Sequence, residues 1–368
     1  MDTRSSHTTF GYSGLVIPRV VTACLLLAAC GSSTDPDLSV EQQGRHAVGT
    51  RRIDVSDATR AYTLQAWYPT TSATSQVAIE SLEAEPRRTR YMNLLAGVGT
   101  CPTRRLEVAV DGEPEAGAFP LIVGSHCHSC TRLSNASTAL RLASHGFVVV
   151  TIDHTADTLW DELDGMPASL DAAQLALRVA DLELAIDVSS PALVSADRAR
   201  LGVFGHSFGA VTAGRLAQLD DRVQAAAALA APMENPLIPG VSLAEIAEPL
   251  MFLVAVEDNS ITEFGNKFIR DNFAAAMNRA WKLEVADAGH WSVSDLDGLI
   301  PAFNKGCGPG VRQTDGEAFT YLDPDVGRSI AASNVTAFFR ATLDGDDGAA
   351  AYLDRGFPDE FVSSAHHD

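Results

Sequence analysis

The sequence predicts an α/β protein with a mostly parallel central sheet and helices on both faces. Three observations carry this. Several apolar runs, "FPLIVGSH" (119–126) and "FVVVTID" (147–153) among them, are continuous, the pattern of strands buried on both faces. Segments of helical spacing separate such runs. A chain of 368 residues with ordinary apolar content is long enough for one large domain with a sizeable core.

The elements follow in order. Arg4 and Arg19 precede "VVTACLLLAA", which ends at Cys30. That run is too short to span a bilayer and fits a secretory h-region. "LAAC" followed by "GSST" resembles the lipobox of bacterial lipoproteins, a resemblance that implies lipidation of Cys30. The expected organisation is a signal peptide over 1–29, a lipidated polar tether over 30–45 and a single domain over 46–368. Cleavage nearby as an ordinary signal peptide, with free secretion, is the alternative.

Within the domain, "YTLQAWYP" (62–69) alternates and reads as a strand stopped by Pro69. Residues 71–118 read as irregular, with a short helix near 88–96. After the strand at 119–126 come a helix over 133–146, the strand at 147–153 and a long amphipathic helix over 169–188. "RLGVFG" (200–205) is a strand and 208–219 a helix. Strands follow at 223–231, 249–258 and 281–289, with a helix at 262–279 between the last two and a final helix at 325–343. Right-handed crossovers would align the strand C-terminal ends along one edge, where ligands collect in such sheets.

Composition excludes some functions. The net charge of −20 leaves no basic stripe for nucleic acid. Without Cys24 and Cys30, four cysteines remain, Cys101, Cys127, Cys130 and Cys307. An exported protein can oxidise them, and spacing does not choose among the three pairings. "CHSC" (127–130) has metal or redox spacing, but no second Cys/His pair accompanies it, so no metal is expected.

"GVFGHSFGA" (202–210) carries the chemistry. Gly-x-Ser-x-Gly between a buried strand and a helix is the context of a nucleophilic serine, here Ser207. The Phe208 amide, at a helix N-terminus, is one oxyanion donor. The second falls in the loop after "PLIVGSH", to the amide of Cys127 or His128. A serine needs a base. His290 in "ADAGHWS" follows the last predicted central strand and comes after the serine in the chain. His206 adjoins Ser207 but should point away, His366 and His367 fall in a frayed tail, and His154, at a strand end, is the rival. Asp258 ends the strand "PLMFLVAVED" and is the expected partner of His290. Its neighbour Glu257 should face the other way, and Asp287 lies too near His290. Trp160, in a segment (155–170) that would wall or cover the site, and Trp291 are candidates for the substrate pocket. Residues 301–324 would close another side.

These segments resemble the α/β-hydrolase group that holds the platelet-activating-factor acetylhydrolases and bacterial dienelactone hydrolase-like proteins. "AWYP", "FPLIVGSH…LASHGFVVVTIDH", "ADRARLGVFGHSFGA" and "DAGHWS" carry the likeness over most of residues 50–300. A looser similarity reaches cutinase-like polyester hydrolases around Asp258. The resemblance implies the α/β-hydrolase fold. The chain departs from the group in three places. The strand "AAAALAAPM" lacks the acid that the animal acetylhydrolases carry there, Cys127 stands where "SHG" has its glycine, and Ala210 follows "GHSFG" where Gly is frequent.

The expected function is a serine carboxylester hydrolase with a Ser-His-Asp triad and an acyl-enzyme. It would need no cofactor, act on small-molecule or lipid-like esters and work as a monomer in the cell envelope or outside the cell. An acyltransferase with the same triad and a silent lipoprotein binding module are the alternatives.

Overall fold

A computed structural model describes residues 38–56, 61–304, 306–355 and 362–368, which belong to one compact unit. The expected signal peptide and Cys30 lie outside the described residues. The strands are β1 (Ala47–Ser56), β2 (Ala61–Thr70), β3 (Ser75–Ala78), β4 (Arg105–Val110), β5 (Phe119–Ser125), β6 (Val148–Ile152), β7 (Ala196–His206), β8 (Val223–Leu229), β9 (Leu250–Ala255), β10 (Ala280–Val285), β11 (Pro309–Val311), β12 (Ala318–Thr320) and β13 (Val362–His367). The helices are α1 (Arg87–Ala96), α2 (Ala136–Ser144), α3 (Leu159–Leu163), α4 (Ala172–Asp187), α5 (Phe208–Leu219), α6 (Thr262–Ala275), α7 (Pro324–Leu343) and α8 (Asp347–Arg355).

Eleven strands form one sheet in the order β13-β10-β9-β8-β7-β5-β6-β2-β1-β4-β3. From β6 to β10 every pairing is parallel. β5, β6 and β9 among them are continuously buried or nearly so, and the side chains of this parallel block alternate between two cores. Ile122 and Val149 face a core shared with α2 and α7. Leu121, Val123, Val148 and Val150 face another shared with α4, α5 and α6. The fold is that of an α/β-hydrolase, mixed rather than parallel at its margins.

The margins are where the sequence expectations fail. Residues 71–118 were expected to be irregular, yet they contain β3 and β4. β1 was not anticipated either. It is charged over Arg51, Arg52 and Asp54 and half-exposed at its far end, so its apolar signal is weak. Pro69 does not stop β2. It lies opposite Val48, beyond Trp67, the last β2 residue paired with β6, so its missing N–H breaks no bond on that side. His366 and His367 are not in a frayed tail: β13 runs antiparallel to β10 in a six-residue register, a polar edge strand held by its backbone. Val40 and Gly44, expected within the tether, contact the domain instead. Val40 is fully buried, Arg141 donates to its carbonyl, and Gly44 N–H donates to Ser144 Oγ.

The cysteines pair Cys101 with Cys307 and Cys127 with Cys130. The second disulfide is buried, so it is no surface staple.

Candidate active site

The site begins at the turn from β7 into α5. Ser207 has φ +57° and ψ −122°, a conformation that L residues rarely adopt and that lifts its side chain out at the sheet edge. The flanking glycines make the turn possible. A Cβ on Gly205 would sit 1.9 Å from the Gly209 carbonyl oxygen, and one on Gly209 would sit 2.1 Å from that of Ser125. A serine at a helix N-cap normally accepts from the first turn of its helix. Ser207 does not: α5 has no side-chain cap, although the Ser207 carbonyl oxygen accepts the Ala210 N–H at 2.8 Å.

The Ser207 hydroxyl turns instead to His290, 2.8 Å from Nε2. His290 Nδ1 lies 2.7 Å from Asp258 Oδ2. The other Asp258 oxygen accepts the N–H groups of Ser260 and Ile261 at 2.9 and 3.0 Å. The three side chains thus form one hydrogen-bonded chain, with Asp258 and His290 buried.

The other candidates are engaged elsewhere. Glu257 accepts from Arg312 and from the Gln313 N–H. Asp287 pairs with Arg312 at 2.9 Å. His154 Nε2 is 2.8 Å from Ser125 Oγ, with Asp181 on its other nitrogen. His206, its ring 5.0 Å from that of His290, is engaged through Nε2, 2.8 Å from the His290 carbonyl oxygen. Burial, reinforced by His290, holds His206 well below the usual histidine range, so it is a neutral donor.

The candidate oxyanion donors lie beside this chain. Among the described residues, no backbone hydrogen bond uses the N–H of Cys127, His128 or Phe208. His126 holds the peptide between Cys127 and His128, with Nδ1 2.6 Å from the Cys127 carbonyl oxygen. His126 Nε2 accepts the His154 N–H at 3.0 Å, so Nδ1 carries the proton. Burial, with His154 and Arg178 nearby, pulls His126 down to about 3 and keeps it neutral.

Ser207 opens onto a cleft of about 310 Å³ whose lining includes His128, Phe208, Leu170, Leu237, Ile238 and Phe264. Leu170, Leu237 and Phe264 are at least half exposed and form an apolar rim. Trp160 and Trp291 do not line it, contrary to expectation. Trp160 is buried in α3, between the guanidinium groups of Arg87 and Arg90 and the edge of Tyr91. Trp291 packs on Phe303 and meets His206 and His290 edge-on, behind His290 and away from the cleft lining. Residues 301–324 supply Phe303 to that contact and Arg312 to Glu257. None of them lines the cleft. A polar cavity of about 380 Å³ near His46 and Arg328 includes no residue of this site.

Sequence reasoning missed part of the rim and the support beneath the candidate oxyanion loop. Leu170 ends the segment 155–170 that was expected to wall or cover the site and does line the cleft, whereas Leu237 and Phe264 have no local pattern that marks a cleft. No described group of three or more His, Cys, Asp or Glu is placed to hold a metal.

The chain matches the family model "PET hydrolase-like" over residues 117–295 and "Platelet-activating factor acetylhydrolase, isoform II" over residues 32–159. It has no significant match among curated proteins. Its fold is similar to that of a ferulic acid esterase from Streptomyces cinnamoneus, at 21% identity and a TM-score of 0.66, over 87% of this chain and 96% of that one. The chain is an α/β-hydrolase and a carboxylic ester hydrolase, similar to the platelet-activating-factor acetylhydrolase and PET hydrolase-like families over the residues matched.

Proposed function

We propose that Ser207, His290 and Asp258 form a catalytic triad that cleaves lipid-like or aryl esters through an acyl-enzyme. The observation that carries this reading is the continuous hydrogen-bonded chain from Ser207 Oγ to Asp258. With Nδ1–H donated to Asp258, the Nε2 lone pair of His290 faces the hydroxyl. His290 takes the Ser207 proton as Oγ adds to the ester carbonyl. The oxyanion is held by the Phe208 amide and an amide at Cys127 or His128. The tetrahedral adduct collapses, His290 protonates the departing alcohol, and the acyl group stays on Ser207. Water then attacks, its proton goes to His290, and Ser207 leaves with that proton as the acid departs. Asp258 stays ionised and stabilises the imidazolium.

The substrate class follows from the cleft. An apolar rim of Leu170, Leu237 and Phe264 suits an acyl chain or an aromatic ring. The names of the similar proteins, concerned with polyester, phospholipid-type and ferulate esters, fall within that range. The test is a hydrolysis profile over p-nitrophenyl esters of increasing chain length, with Ser207→Ala as the blank. A drop of roughly 10⁴–10⁶ in kcat is expected. Activity that survived the substitution, or failure of a fluorophosphonate to label wild type at Ser207, would sink the reading.

The enzyme is proposed to work as a monomer outside the cytoplasm, tethered by lipid on Cys30. Two disulfides among the described residues support export. Metabolic palmitate labelling that is lost in Cys30→Ser, with release from the membrane fraction, is the expected outcome; an unlabelled wild type refutes the anchor.

A further inference from the structure

Arg178 is fully buried on α4, a helix that contributes no residue to the hydrogen-bonded chain at Ser207. Its guanidinium nevertheless reaches both elements that carry the candidate oxyanion amides. On one side it donates to the carbonyl oxygen of His126, the residue before Cys127, and to Ser125 Oγ at 3.2 Å. On the other it lies 4.6 Å from the centre of the Phe208 ring, and its Nε donates to Thr212 Oγ1 at 3.1 Å. That hydroxyl in turn donates to the Phe208 carbonyl oxygen at 3.0 Å. Its remaining nitrogen pairs with buried Asp157.

Asp157 extends the hold to the far end of the loop. Its Oδ1 accepts the Ser129 N–H at 2.7 Å. Ser129 has φ +54°, a strained value for serine, which this bond and the Ser129 Oγ contact to Glu162 at 3.0 Å help maintain. His128 Nδ1 also stands 2.9 Å from the Asp157 carboxylate, off the line of a well-formed hydrogen bond. Burial, the largest influence, would raise the Asp157 pKa, but Arg178 together with His128 and His126 outweighs it and holds the group well below the carboxylate range. Between the two anchored ends, the Cys127–Cys130 disulfide closes the loop covalently. The loop is therefore one short, cross-linked body, and Arg178 attaches it to the start of α5.

We propose that Arg178 is a positioning residue that fixes the two halves of the oxyanion hole relative to each other, the loop from His126 to Ser129 and the Phe208 end of α5. It touches no reacting atom. The inference rests on the triad reading above. An oxyanion forms only in the transition state, so misaligned donors should lower kcat and leave ground-state binding nearly unchanged. A displacement on the order of 1 Å can cost about 10²-fold in rate.

The test compares wild type with Arg178→Met, Arg178→Lys and Thr212→Val on a short p-nitrophenyl ester, at a temperature where circular dichroism shows each variant folded. Expected are a kcat lower by roughly 10- to 100-fold in the Arg178 variants and by a few-fold in Thr212→Val, with KM within about threefold. The pH–rate midpoint should stay put, because the contacts of His290 and Asp258 are untouched. Inhibition by an aryl trifluoromethyl ketone, whose hemiketal oxygen occupies the oxyanion position, should weaken by the same factor as kcat/KM. A folded Arg178 variant that keeps kcat within twofold, or that raises KM while keeping the ketone affinity, overturns the proposal. If Arg178→Met does not fold, the other two variants carry the same criteria. The triad reading fails separately, through retained activity in Ser207→Ala.

Discussion

Glu257 and Asp258 are adjacent in the chain and turn their carboxylates to different partners: Asp258 meets His290 at 2.7 Å, while Glu257 meets Arg312 at 3.1 Å. The Glu257 N–H donates to the Ala288 carbonyl, so the end of β9 is also laced to the loop that carries His290. The two carboxylates should therefore separate cleanly in kinetics. Asp258→Asn should lower kcat by about 10⁴, because an amide cannot hold the required histidine tautomer or offset the imidazolium. Glu257→Gln should leave kcat within a few-fold and act on stability through Arg312. Steady-state kinetics on one ester decides this, and equal losses in the two variants would remove the distinction.

The cleft makes the second prediction. Leu237 is 69% exposed and Phe264 58%, yet both line the space above Ser207. Leu237→Ser and Phe264→Ser should raise KM for long-chain or aryl esters and spare acetate, at about 0.8 kcal/mol for each substrate methylene left in water. Trp160→Phe should leave the chain-length profile unchanged, since its ring is covered by Arg87 and Arg90. Profiles across acetate to decanoate esters check this; a flat response to Phe264→Ser would mean that the acyl group sits elsewhere.

Which of these features were legible in the sequence follows from how local their signals are. The elbow at Ser207 is written in consecutive residues, and the strands beside it are buried on both faces, so their apolar runs are unbroken. Asp258 and His290 are readable because each follows a strand of the parallel block, β9 and β10, and so falls on the same sheet edge. Trp160 and Trp291 misled because a tryptophan fills a core as readily as it lines a pocket. The cleft rim draws single residues from three distant segments. β13 is held by backbone pairing along a polar sequence, which leaves no periodic mark. Arg178 was hidden for another reason. It sits in an amphipathic helix, where an arginine reads as solvated, and its buried partners Asp157 and His126 come from separate turns.

The Cys101–Cys307 disulfide closes a span of 206 residues and anchors the segment that delivers Phe303 to the back of Trp291. Arg328 also donates to the Cys101 carbonyl oxygen at 2.9 Å. In the chain-entropy account, a loop of this length gives up to about 5 kcal/mol of stability. Replacing both cysteines by serine should lower the urea midpoint, raise the m-value because the unlinked denatured chain exposes more surface, and affect kcat far less. Cys127→Ser with Cys130→Ser should barely move the midpoint or the m-value and should lower kcat, because that loop is short and carries the candidate oxyanion donors. Urea titrations paired with kinetics test the contrast, and similar patterns in the two pairs would contradict it.

Asp297 gives the last prediction. It is fully buried, and neither carboxylate oxygen has a hydrogen-bond partner among the described residues. Burial raises its pKa from 3.8 to about 7, against the pull of Arg328. The sign follows from proton counting. Between about pH 4 and pH 7 the folded state keeps a proton that the unfolded state has released, so this group makes stability fall as pH rises. Below that window both states are protonated and nothing is lost; above it both are ionised and the penalty is complete. At about 1.4 kcal/mol per unit, the penalty is at most a few kcal/mol. Asp297→Asn keeps the shape and removes the charge. Its melting temperature should match that of wild type near pH 4 and exceed it by several degrees at pH 8. Melting curves of the two proteins across pH 4–8 decide the matter. Parallel curves would mean that Asp297 ionises in the folded protein as readily as in the unfolded chain, with a counter-charge or water meeting it in the core.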